Sequence, residues 1–127
     1  MSANDVAARR AEAVAYRDAA RLLASSDDPA DRKVSGSNAV LGAIAAADAI
    51  CGHLLGIRHA GEDHAESRRL VDEACRPDRQ PGVHLKRLLD EKTNFQYSAS
   101  RVTPAQVQAL LSTLERLVDR MDELTRR

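Results

Sequence analysis

The residues of this chain most able to do chemistry sit in one stretch, Leu85 to Tyr97, LKRLLDEKTNFQY, where Lys92 interrupts an apolar line of Leu85, Leu88, Leu89 and Phe95. On a helix turning about 100° per residue, Lys92 points within roughly 20° of Leu85, and Gln96 falls close to the same line. A lysine on an inward line must be paired, must snorkel out, or must serve a purpose. Taken alone it suggests a catalytic cation, and Tyr97 supplies a polar ring five residues later. On the run Asn38 to Ile57, Asp48 occupies the equivalent inward place between Ile44 and Cys51. An Asp48–Lys92 pair is therefore the economical expectation, a buried polar latch that fixes helix register.

Histidines and cysteines form the second set. His53, His59 and His64 are spaced by six and five residues, which does not align them on one helix face as four-residue spacing would, so no metal site is expected. Cys51 and Cys75 lie far apart with no CxxC and no Cys/His ligand pattern, and read as reduced thiols at helical positions. No GxGxxG, P-loop, HExxH or GxSxG sequence occurs, which argues against the common nucleotide, metalloprotease and hydrolase sites, and no cofactor is expected. The basic residues Arg68, Arg69, Arg76, Arg79, Lys86 and Arg87 are offset locally by Asp72, Glu73, Asp78 and Asp90, and read as a solvated face.

These residues must be positioned by helices. Ser2 is an N-cap candidate for a first helix running to about Ala24, with Ala7, Ala11, Val14 and Leu22 on one side. Asp28 followed by Pro29 reads as a cap with proline at the first helical position, and a second helix begins there or after Gly36. Its central part, Asn38 to Ile57, carries Leu41, Ile44, Asp48, Cys51 and Leu55 at helical spacing, while Gly42, Ala43, Ala45, Ala46, Ala49 and Gly52 let neighbours approach closely. Gly61 suits the break before a third helix, RPDRQPG ends that helix after Cys75, and a fourth is expected from about Val83 to Ser98. The cleanest start is Thr103, Pro104 and Gln106, a capping box opening a helix that carries Val107, Leu110, Leu111, Leu114, Leu117, Val118, Met121 and Leu124.

A length of 127 residues fits one domain with one core. Nineteen Lys and Arg balance nineteen Asp and Glu, so no global field steers the protein to nucleic acid or an anionic membrane, and such contact must be local. The three aromatic residues, Tyr16, Phe95 and Tyr97, and the abundance of Ala favour packed helices over a sheet. The fold expected is all-α, a four- to five-helix, mostly antiparallel bundle. The stretch MSANDVAARRAEAV has no apolar core of signal-peptide type, and the apolar run Ala39 to Ile57 contains Asp48 and His53 and fits a buried helix better than a membrane span. A cytoplasmic protein with no membrane partner is expected. The breadth of apolar residues on the last helix suggests contact with both its own bundle and a partner copy.

The order of helices, the Ala-rich second helix and KTNFQY resemble the HEPN superfamily of small helical bundles, over about Asp18 to Leu124. In that family an Arg, four to six residues and a His form the signature of a metal-independent ribonuclease site, and two copies face each other across a dimer interface. Carried over, Lys92 falls where the family has Arg and Tyr97 where it has His. Lysine offers a point charge in place of a planar fork, and a tyrosine titrating near 10 is a poorer base than a histidine near 6.5. The resemblance thus implies a homodimeric, catalytically degenerate module that binds a protein partner, RNA or a nucleotide. Its alternative is a toxin-type ribonuclease in which Lys92 stabilises phosphate charge and Tyr97 or His64 handles protons. Arg58 and His64, in RHAGEDH, match the same signature across a turn and stay candidates with Asp63, while Asn94 and Gln96 are candidate binding or buried polar groups. An antitoxin or a nucleotidyltransferase-like protein is the partner the toxin branch implies.

Overall fold

In the computed structural model, which describes residues 1–57, 63–92, 95 and 102–126, five helices and no strand are found among the described residues. They are α1 (Ala3–Leu23), α2 (Pro29–Leu55), α3 (His64–Cys75), α4 (Gln80–Asp90) and α5 (Pro104–Thr125). The bundle is all-α and mostly antiparallel, as composition and spacing predict.

Local chemistry sets most of the starts. The Ser2 hydroxyl accepts from the Asp5 N–H while Asp5 answers to the Ser2 N–H, a capping box that fixes the first turn of α1. Asp28 caps α2 by accepting from the Ala30 N–H at 2.8 Å, with Pro29 at a position where no N–H is needed; of the two expected starts, the earlier is the one used. Thr103 and Gln106 form the capping box of α5.

The helix ends depart from expectation. α2 stops at Leu55, two residues short of Ile57, because Gly56 takes the left-handed conformation, φ 72°, and returns its N–H to the Gly52 carbonyl; Gly61 lies outside the described residues. α4 begins at Gln80, three residues early, since Pro81 is tolerated in a first turn. It also ends early, at Asp90, where the Glu91 N–H closes onto Leu88 and Leu89. Lys92 therefore does not share a helix with Leu85, and the angle between them does not hold.

α2 is the axis of the bundle. Its small residues are buried on several sides at once, Ala39, Ala43, Ala45, Ala46 and Ala49 being at most 1% exposed. α1 runs antiparallel to it, tied by Arg9 to Asp48 at one end and by the Ser35 hydroxyl to the Ala20 carbonyl, 2.6 Å, at the other. Such close approach is made by the smallest face of α1, Val6, Ala13 and Ala20, a seven-residue repeat. The expected stripe is displaced: Ala7 and Ala11 are exposed and Leu22 is 82% exposed. Likewise Leu41, Ile44 and Leu55 lie at the margin of the buried face of α2.

α5 runs beside α2 in the same direction, with Val102 under Arg32 at its start, Leu114 against Gly42 in its middle and Asp122 beside Arg10 near its end. Its eight expected apolar residues are all buried within this one bundle. α3 and α4 form a hairpin across residues 76–79 and close the core with Leu70, Val71, Leu85, Leu88 and Leu89, each leucine contributing about 1.5–3 kcal/mol. α2 is long and apolar enough to cross a membrane by length and composition, but 61% of its most apolar window is buried inside the bundle, which accounts for that apolarity.

Candidate functional site

Lys92 lies two residues past the end of α4, partly buried, and three residues before Phe95, which packs on the first half of α2. Phe95 is 3% exposed, and its ring fills the space above Gly36, where an added Cβ would meet ring carbons at 2.0–2.5 Å. The Ser37 hydroxyl donates to the Phe95 carbonyl at 3.0 Å. Asp48 stands eleven residues beyond Ser37, about 16 Å along the helix axis. The expected Asp48–Lys92 latch is therefore replaced by another pair: Arg9 of α1 sets Nε at 3.0 Å and Nη2 at 2.8 Å from Asp48 Oδ2. Burial opposes the charge of Arg9, but the hydrogen bonds and charges of Asp48 and Glu12 outweigh it and raise its pKa.

Asp63 is a helix cap, accepting from the N–H groups of Ala65 and Glu66 at 3.0 and 3.2 Å. His64 opens α3, so the α3–α4 hairpin returns the chain to bring His64 and Lys92 toward the same end of that pair, though no hydrogen bond or ion pair joins them. Arg58, Asn94, Gln96 and Tyr97 lie outside the described residues. Among the described residues no three His, Cys, Asp or Glu side chains cluster to hold a metal. The two thiols are buried, and burial pushes Cys51 up to about 12 and Cys75 up to about 11.

A second constellation lies on α4 and α5. Asp78, at the hairpin turn, accepts from Arg120 Nε at 3.2 Å, which sets the start of α4 beside the last third of α5. Arg87 and Glu91, at the other end of α4, share a groove with Gln106, Ala109 and Leu110, so the two helices are antiparallel. Between these points stands His84, within electrostatic reach of Arg116 on α5 and Arg87 on α4. Burial and the charges of Arg116 and Arg87 hold the imidazole below its ordinary value, with Asp78 opposing them.

The local offset of the basic cluster holds only for part of it. Lys86 is bonded to Asp90 at 2.6 Å, Arg69 to Glu66 at 2.6 Å and Glu73 at 3.5 Å, and Arg68 stands 3.5 Å from Asp72. Arg76, Arg79, Arg87 and Arg116 have no such partner among the described residues. These four guanidiniums, two at the α3–α4 turn, one on α4 and one on α5, leave local positive charge on a chain of zero net charge. His84 and Arg116 were not visible as site residues in the sequence. His84 and Arg87, three apart on one helix face, were the available signal, but the arrival of Arg116 depends on how α5 packs. No family model, no characterised protein and no solved structure matches the chain.

Proposed function

We infer that the chain is a HEPN-like helical module that binds RNA along the α4–α5 face without cleaving it, and that it works as a homodimer. The observation that carries the reading is the pair Arg87 and Arg116, which come from two helices and both act on the charge of His84, with no carboxylate bonded to either among the described residues. Guanidinium forks match phosphate oxygens, and Val83, 44% exposed on the same helix, adds an apolar contact for a base. Non-cleavage is supported by Lys92 and Tyr97, which stand where the family has Arg and His: a point charge replaces a planar fork, and a phenol is the poorer base near neutral pH. For the dimer, the support is Leu22 with Val34, 82% and 50% exposed and placed at the same end of α1 and α2 by the Ala20–Ser35 bond.

Fluorescence anisotropy with single-stranded RNA tests the binding. Affinity should fall with salt, and Arg87→Gln with Arg116→Gln should weaken it and reduce the log–log salt slope by about 0.7 per lost contact. RNA that stays intact in chelator at high protein concentration accords with a binding module. The second reading, a metal-independent ribonuclease, draws on His64 and Lys92 at one end of the hairpin; cleavage lost on Lys92→Ala would establish it in place of the first. Sedimentation over a range of concentrations tests the dimer, and a monomer mass throughout would remove it.

A further inference from the structure

A groove of about 500 Å³ opens at the α3–α4 turn, and its walls carry four arginines, Arg68, Arg69, Arg76 and Arg79, against three carboxylates. Two of the carboxylates, Glu73 and Asp78, are engaged by other cations, and Asp72 keeps Oδ1 without a hydrogen bond. Glu73 holds Arg69; Asp78 accepts from the Gln80 N–H at 3.0 Å and from Arg120 at 3.2 Å; Asp72 faces Arg68. Arg69 is further held by Glu66. Arg76 and Arg79, both exposed and both lining the groove, bond none of them. Arg68 is the third cation of the wall, and its Nε makes no hydrogen bond.

We propose that this groove binds a phosphomonoester, the terminal phosphate of a nucleotide or of an RNA 5′ end, held by Arg76 and Arg79. A phosphomonoester carries close to two negative charges at neutral pH, which two uncommitted guanidiniums match, whereas a backbone diester carries one. A volume near 500 Å³ lies in the range of small-molecule sites and leaves room for the nucleoside attached to the phosphate. The proposal deepens the RNA-binding reading and rests on it for the RNA arm only, since free nucleotide can occupy the groove whether or not RNA binds α4 and α5.

The test compares one oligoribonucleotide with a 5′-phosphate and with a 5′-hydroxyl by anisotropy, and AMP with adenosine by calorimetry. The phosphorylated forms should bind about tenfold tighter, the loss of one charge-assisted contact being of that order. Arg76→Gln with Arg79→Gln should abolish the difference while 5′-hydroxyl RNA binding and the thermal midpoint stay unchanged, and Arg87→Gln with Arg116→Gln should weaken both RNAs equally. Preference for AMP over adenosine without RNA binding would support the groove and end the RNA reading. Preference confined to phosphorylated RNA would assign the RNA end as the source. Equal binding of both RNAs together with equal binding of AMP and adenosine would overturn the groove and leave the RNA reading standing.

Discussion

Arg9 and Asp48 meet across the α1–α2 interface, two guanidinium nitrogens within 3.0 Å of one carboxylate oxygen, with the side chains only 21% and 12% exposed. Removing Asp48 leaves Arg9 with the more exposed Glu12, and removing Arg9 takes two donors from a poorly solvated Asp48. Asp48→Ala and Arg9→Ala should each lower stability by about 1–3 kcal/mol, and the double variant by clearly less than their sum. Urea denaturation of the four proteins in the cycle measures the coupling. Strictly additive losses would show that the pair contributes nothing of its own.

Gly36 has a steric duty under Phe95. Because a Cβ there would overlap ring carbons at 2.0–2.5 Å, Gly36→Ala should reduce stability by about 1–3 kcal/mol. The loss should shrink when Phe95 is also changed to Leu, whose shorter side chain vacates part of that space. Thermal midpoints of the two single variants and the double variant decide it. A Gly36→Ala protein as stable as the parent would mean that the ring moves aside freely.

Both thiols should be sluggish. With Cys51 at about 12 and Cys75 at about 11, against an ordinary 9.0, the thiolate fraction at pH 8 falls about 1000-fold and about 100-fold respectively. Alkylation by iodoacetamide should proceed slowly in the folded protein and quickly in urea. Rapid labelling of native protein would show that the bundle opens around α2 on the timescale of the reaction.

His84 makes stability depend on mildly acidic pH. Its native pKa lies below the unfolded value of about 6.5, so the unfolded chain binds the extra proton first. The contribution is fully present above about pH 6.5 and is lost as pH falls from there to the lowered native pKa. His84→Gln should flatten the fall in thermal midpoint over that interval. RNA phosphates placed on Arg87 and Arg116 should offset the two cations and raise the native pKa of His84, which NMR titration of the imidazole can follow.

What could be read from the residues, and what could not, divides along the range of the interaction. Ser2 with Asp5, Asp28 with Pro29, and Thr103 with Gln106 announce helix starts because a cap is settled within four residues. The all-helical bundle and the burial of α5 follow from periodicity in the same way. The end of α4 at Asp90 was hidden because the apolar line resumes at Phe95 beyond Lys92 with no Gly or Pro between, and Phe95 is buried even though α4 does not carry it there. The partner of Asp48 was hidden for a different reason: two cations, Arg9 and Lys92, were available, and only the pairing of helices chooses between them. The same holds for the basic residues. Counting acidic neighbours in sequence neutralised Arg87, Arg76 and Arg79 on paper, whereas in space their neighbouring carboxylates are taken by Lys86, Arg69 and Arg120.

The burial of α2 on several sides has a kinetic corollary. A helix whose neighbours are held at alanine distance cannot loosen on one side without separating from the rest of the bundle, so the amide protons between Ala43 and Ile50 should exchange with solvent only when the whole bundle opens. The N-terminal turns of α1 and the short hairpin helices, with less buried surface, should exchange through smaller and more frequent openings. Hydrogen exchange would then trace two tiers of protection, and the slower tier would report the global free energy of unfolding directly.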